Sequence, residues 1–197
     1  MQRLMVVLLL FIKLAIIYDN EQKASIDENG LEQIMIPVKV HLVSESSGQY
    51  TSIRDEKNIE RLFEQANRIW LKAGIKFVAE KSVVTIIGSD SIPTALNVTP
   101  IELHLHKNFD ENKLNLFLVN QLDGVNGVAM KELNLAIVAD YTTVNDFRTV
   151  AHELGHLLDL GHVSYFGRLM TSGENGEFLT EEEINISRTN ALQFISN

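Results

Sequence analysis

The chain has no cysteine. That absence excludes disulfides, thiolate zinc ligands, a cysteine nucleophile and a lipid-modified N-terminal cysteine. Any metal site must therefore be built from His, Asp or Glu. Proline is scarce, three in 197 residues, and no residue type dominates, so low-complexity readings drop out. No internal repeat is found. Positive charge is in deficit: 17 Lys and Arg stand against 26 Asp and Glu, a formal net charge of −9. No Lys/Arg cluster sits among aromatics. Both facts argue against nucleic acid as a partner, because phosphate binding needs concentrated positive charge.

An apolar fraction of 45% with 22% charged residues is that of a soluble globular protein, and the length suits one domain with a proper core. The N-terminus carries an address. Met1-Gln2-Arg3 supplies a positive start, and Leu4 to Ile17 is apolar except for Lys13. The run has signal-peptide length and falls short of the ~20 residues that span a bilayer. No small-x-small cleavage site precedes Asp19, so residues 1–18 read as a signal peptide or a short membrane anchor, with a buried core helix as the plain alternative. The expected location is secreted or cell-envelope. Residues 19–33 are polar and aperiodic and read as a linker or short pro-segment, leaving 34–197 as the folded domain.

Residues 34–43 alternate and are rich in β-branched side chains, which predicts a strand. Over 55–73, Ile59, Leu62, Phe63, Ala66, Ile69 and Trp70 recur at spacings of three and four, an amphipathic helix ended by Gly74. Residues 75–87 predict one long strand or two, and 91–100 a loop. The runs 114–120 and 133–140 read as buried strands. Between them Asp-Gly and Asn-Gly pairs mark turns around a short strand at 127–131. A helix is expected over 146–158, and another from Thr180, where Thr180 and Glu183 make a capping box. This order describes an α+β (α/β-like) domain with a mixed twisted sheet.

The chemistry concentrates in TVAHELGHLLDLGH, residues 149–162. His152 and His156 stand four apart, which on a helix puts them ~40° apart and one turn along, able to grip one ion. The plain alternative is a helix with two surface histidines. Zinc accepts neutral imidazole nitrogen, and catalytic zinc sites use three protein ligands plus water. Glu153 would project beside that water as general base. His162 is the third candidate. On a continued helix it would lie ~15 Å along the axis from His152, too far to share a metal. The chain must therefore leave the helix after about Leu158 and turn back, and Asp159 and Gly161 are the residues that permit it.

HELGHLLDLGH resembles the metzincin zinc signature H-E-x-x-H-x-x-G-x-x-H, in which three histidines bind zinc. The histidines and the glutamate match in type and spacing; the signature's glycine falls on Asp159. Metzincins also carry a Met-turn below the metal. Met170 in GRLMTSG, eight residues after His162, resembles the spacing of the matrix-metalloproteinase branch. The order of elements, including a helix ending in W-L-K-A-G-I-K-F, the zinc helix and a C-terminal helix, is similar over residues 34–194, but only 149–171 is specific. No tyrosine follows Met170 by two residues, so a tyrosine ligand is not expected, and without cysteine neither is a cysteine switch.

The resemblance implies a zinc-dependent endopeptidase with one catalytic Zn2+ held by His152, His156 and His162, and Glu153 as general base on a zinc-bound water. It places the strand near 127–130 above the cleft, where an extended protein or peptide substrate would add as a further strand. A side-chain pocket would form beside Thr171, Ser172 and Gly173. Two alternatives stay open. One is a catalytically silent zinc-binding module. The other is a thermolysin-like zinc peptidase in which Glu177 or one of Glu181, Glu182 and Glu183 completes the site. His104 and His106 would share one face of a strand and read as exposed polar positions, and His41 as a strand histidine without chemistry. Structural calcium and oligomeric state are not determined by these residues. The helical Gly155, costing ~1 kcal/mol relative to Ala, calls for a close neighbour.

Overall fold

The computed structural model describes residues 24–26, 32–45, 48–87 and 106–196. The expected signal or anchor at 1–18, the loop at 91–100 and His104 lie outside the described residues. Among those described, no helix is long and apolar enough to cross a membrane.

A seven-stranded mixed sheet forms the frame. Strand β2, Glu32–Glu45, is its spine and pairs with four neighbours. Strands β3 (Ile75–Ala79), β4 (Val83–Ile87) and β5 (Leu114–Val119) run parallel to it. Strand β1, Ala24–Ile26, falls in the stretch whose polarity reads as linker and pairs antiparallel with residues 32–34 of β2. Strand β7, Leu135–Ala139, follows β5 in parallel, and β6, Gly127–Met130, closes the order antiparallel to β7.

Every residue of β5 and β7 is buried, because both faces of the sheet are covered. One face carries the main core with Ile36, Val38, Val40, Leu116, Leu118 and Val138. The other carries a smaller cluster with Val43, Phe117, Val119 and Ile137.

Helix α1, Glu56–Trp70, begins in a reciprocal cap: Asn58 N–H donates to Asp55 Oδ1 at 2.8 Å, and Asp55 N–H donates to Asn58 Oδ1 at 3.1 Å. It buries Ile59, Leu62, Phe63, Ala66, Ile69 and Trp70, the same six apolar residues whose spacing predicts it. A short 3-10 turn, Leu71–Ala73, and Gly74 then end it. The Asn67 side chain pairs with both main-chain groups of Phe77, pinning α1 to β3. Helix α2, Asp146–Leu157, leads into the histidine-rich turn. Helix α3, Glu181–Ser196, starts at the expected box, with Thr180 N–H donating to Glu183 Oε2 at 2.8 Å.

Candidate metal centre

Helix α2 is held at both ends before any ligand is placed. At its start the Asp146 carboxylate receives the Arg54 and Arg61 guanidinium groups. Arg54 also pairs with Asp140 just beyond β7, both side chains almost wholly buried. The helix is thereby tied to the strand it follows. In its middle, the Trp70 indole N–H donates to the Ala151 carbonyl at 3.3 Å. Val150, Ala151, Leu154 and Leu157 bury the remaining faces, so the residues facing the cleft have little rotational freedom.

The helix ends as the three-histidine spacing requires. Asp159 takes the left-handed conformation, φ 72°. The Leu160 N–H returns to the Gly155 carbonyl at 3.0 Å and the Asp159 N–H to the His156 carbonyl at 3.0 Å. These two bonds define a Schellman cap, a position usually filled by glycine. The aspartate at the signature's glycine position supplies the turn itself, and Gly161 is not in the left-handed region. The cap also does something the spacing could not predict. The Leu160 carbonyl it exposes accepts the His156 Nδ1 proton at 2.7 Å.

His152, His156 and His162 meet as a group of potential metal ligands. Their three Nε2 atoms form a triangle 3.1 Å on each side. His152 Nδ1 donates to the Leu169 carbonyl at 2.8 Å, as His156 Nδ1 does to Leu160. A neutral imidazole has one N–H, so both of these rings turn an Nε2 lone pair toward a common point. Burial lowers the pKa of His152 to about 3 and that of His156 below its ordinary value, keeping both in the neutral, metal-binding form. Tetrahedral zinc with bonds of 2.0–2.1 Å needs nitrogens about 3.3 Å apart. The triangle fits such an ion, and carbonyl acceptors behind ligand imidazoles are the usual way to fix the metal-binding tautomer.

Glu153 is buried and lines a cleft of about 890 Å³ together with the three histidines. Burial pushes its carboxyl up to about 8, against the opposing pull of the Arg148 guanidinium. Strand β6 forms part of the wall through Gly127, Val128 and Ala129, and Ser172 and Gly173 line the cleft as well. Met170 is fully buried, and a Cβ placed on Gly155 would come 2.9 Å from its sulfur and 3.3 Å from Trp70. That contact is the close neighbour which the helical glycine called for.

None of Glu177, Glu181, Glu182 or Glu183 belongs to the ligand group among the described residues. Glu183 instead caps α3 and pairs with Arg168 at 2.8 Å. His106 sits in a bend where its Nδ1 accepts the Asn108 N–H. His41 is fully buried and stacks on Phe117 with centroids 4.1 Å apart.

One residue escaped the sequence reading. Arg148, one turn before His152, is buried on α2 and donates to the carbonyls of Gly176, Leu169 and Thr171. Its signal was legible in principle: a charged residue four before the first histidine shares that histidine's face of the helix.

The architecture is similar to that of archaemetzincin from Methanopyrus kandleri, with a TM-score of 0.56 and 12% identity over 80% of this chain and 95% of that one. A zinc-dependent peptidase from Methanocorpusculum labreanum aligns at 17% identity over 77% of this chain and 99% of that one, with a TM-score of 0.42. The chain thus shares its fold with archaemetzincin. No family model matches the sequence, and no curated protein matches it either.

Proposed function

We propose that the chain is a zinc-dependent endopeptidase acting on extended protein substrates, with His152, His156 and His162 as the ligands of one Zn2+ and Glu153 as general base. The observation that carries this reading is the 3.1 Å triangle of Nε2 atoms, two of them held as acceptors by carbonyls on their far nitrogens. When bound there, zinc supplies a Lewis acid for the scissile carbonyl and lowers the pKa of a water. Glu153, whose ionised form a bound cation would favour, takes the proton from the attacking water at a carboxylate oxygen and returns it to the leaving amine. Strand β6 is last in the sheet order and lines the cleft. An extended peptide adds beside it through main-chain hydrogen bonds, which give affinity without demanding one side chain. The spacing of Met170 from His162 supports a matrix-metalloproteinase-like branch.

The apolar run 4–17 supports export, with 1–18 removed or retained as an anchor. N-terminal sequencing of the exported protein distinguishes the two, and a chain that stays in the cytoplasm overturns export. For the activity, casein-type cleavage is measured with zinc-loaded protein beside Glu153→Ala. The parent cleaves and the variant loses at least ~10²-fold. A variant that binds zinc and cleaves at the parental rate removes Glu153 from the chemistry. Silence from a parent carrying one zinc per chain overturns the peptidase reading in favour of a binding role.

A further inference from the structure

Arg148 is the least exposed lysine or arginine among the described residues, 2% exposed. Taking a cation out of water costs several kcal/mol, and an apolar residue of similar volume would fill the same space without that cost. Its presence therefore needs an account beyond packing. The side chain crosses from α2 to the segment after His162. Nε donates to the Gly176 carbonyl at 3.2 Å, while Nη2 reaches the carbonyls of Leu169 and Thr171. These three residues flank fully buried Met170 and the cleft-lining Ser172 and Gly173.

The Leu169 carbonyl is a shared acceptor. One donor is Arg148 Nη2, and the other is His152 Nδ1 at 2.8 Å. A carbonyl oxygen accepts two hydrogen bonds through its two lone pairs. Arg148 and His152 sit four apart on α2, so on a helix their side chains leave the same face one turn apart. Helix and loop could slide past one another on apolar contacts alone, which are not directional. The guanidinium prevents this because its rigid fork fixes direction as well as distance.

We propose that Arg148 is a positioning residue of the metal centre: it fixes the Leu169 carbonyl, which holds the His152 Nδ1 proton and so keeps the Nε2 lone pair aimed at the ion. The inference rests on the zinc reading above for its consequence, though not for its geometry. Groups standing behind ligands in this way change metal affinity about 10–100-fold when removed.

The test uses the full chain, with Arg148→Met, Arg148→Lys and, as a destabilised core control that does not line the cleft, Leu62→Ala. Zinc affinity is read by competition with a chromophoric chelator. The His152 tautomer is read in metal-free protein by two-bond 1H–15N correlation of 15N-histidine-labelled samples. Arg148→Met is expected to bind zinc about 10–100-fold more weakly and to show a mixed His152 tautomer in place of the Nδ1-protonated form. Arg148→Lys recovers part of both, since its ammonium has donors for the Leu169 and Thr171 carbonyls but no second nitrogen for that of Gly176, and no rigid fork to fix their direction. Leu62→Ala leaves both unchanged. A folded Arg148→Met with parental affinity and tautomer overturns the proposal, as does an equal loss in Leu62→Ala. Where Arg148→Met does not fold, Arg148→Lys decides: a parental value in both readouts overturns it, and an intermediate one supports it. A parent that binds no zinc sinks the peptidase reading, while the metal-free tautomer still decides the role of Arg148.

Discussion

Gly127 of β6 and Glu153 of α2 lie so close that a Cβ on the glycine would come 2.7 Å from the glutamate's Cγ and Oε1. The strand therefore passes the carboxylate with main chain alone, and the wall of the cleft and the proposed base are fitted to one another. Gly127→Ala would push the carboxylate aside, because no Cβ tolerates a contact under 3.0 Å. Peptide cleavage by the zinc-loaded variant should fall about 10²-fold, the usual cost of misplacing a catalytic group by an ångström. Zinc affinity should remain parental. Parental kcat/KM would mean that Glu153 acts from a displaced position as well as from this one.

Gly155 sets two effects against each other. Alanine improves helix propensity by ~1 kcal/mol, but its Cβ would meet the Met170 sulfur at 2.9 Å and Trp70 at 3.3 Å. Met170 and Trp70 are both fully buried, so neither yields without disturbing the core. Overpacking of this kind costs 1–3 kcal/mol, and Gly155→Ala is expected to be destabilised by about 1 kcal/mol net. Urea unfolding of the metal-free protein checks this, and a higher midpoint in the variant would show that the packing gives way.

Asp159 carries its turn with φ 72° and reaches Lys131 at 2.6 Å, with both side chains half exposed. The left-handed conformation costs a non-glycine residue roughly 1–2 kcal/mol, while an exposed ion pair is worth ~0–1 kcal/mol. Asp159→Gly should therefore be neutral to about 2 kcal/mol more stable, and Asp159→Val less stable by about 1–2 kcal/mol. Thermal melts of both variants, run with zinc and without it, measure the difference. A stabilised valine variant would be incompatible with the Schellman geometry at this position.

His41 makes the acid side of the stability profile predictable. It is fully buried, stacked on Phe117 and bonded to Thr85 and Asn115. Burial lowers its pKa to about 4, the Asn115 hydrogen bond works against that, and Lys39 and His106 add a smaller push downward. The unfolded chain, with an ordinary histidine pKa near 6.5, thus binds more protons between pH 4 and 6.5. Stability from this group is full above about pH 6.5 and is lost as pH falls toward 4, in total about 3 kcal/mol. Denaturant midpoints of the parent and His41→Phe at pH 7 and pH 4.5 test it. The parent should lose more on acidification than the variant, and equal losses would place the acid sensitivity elsewhere.

Local chemistry made much of this legible beforehand. The three- and four-residue spacing of α1 named the six residues it buries, and Thr180 with Glu183 marked the start of α3. Such signals act within one or two turns of chain, where geometry depends on near neighbours alone. The pairing of Ala24–Ile26 with β2 was not legible, since a three-residue stretch acquires strand structure only from the edge offered to it. Arg148 was missed for a related reason. Its partners lie 21, 23 and 28 residues away in a loop whose path no periodicity describes.

The sequence by itself determined the identity of the candidate ligands, their spacing, and the need for a break after Leu158, because a helix of fixed rise cannot bring residues 152 and 162 together. Only the tertiary structure decided which residue makes that break, which carbonyls hold the imidazole protons, and which side chain anchors the loop carrying one of them. Covalent spacing limits what can meet. Lone-pair direction, burial and the close approach of Gly127 and Gly155 depend on segments far apart in the chain, and they exist only once the sheet and helices have packed.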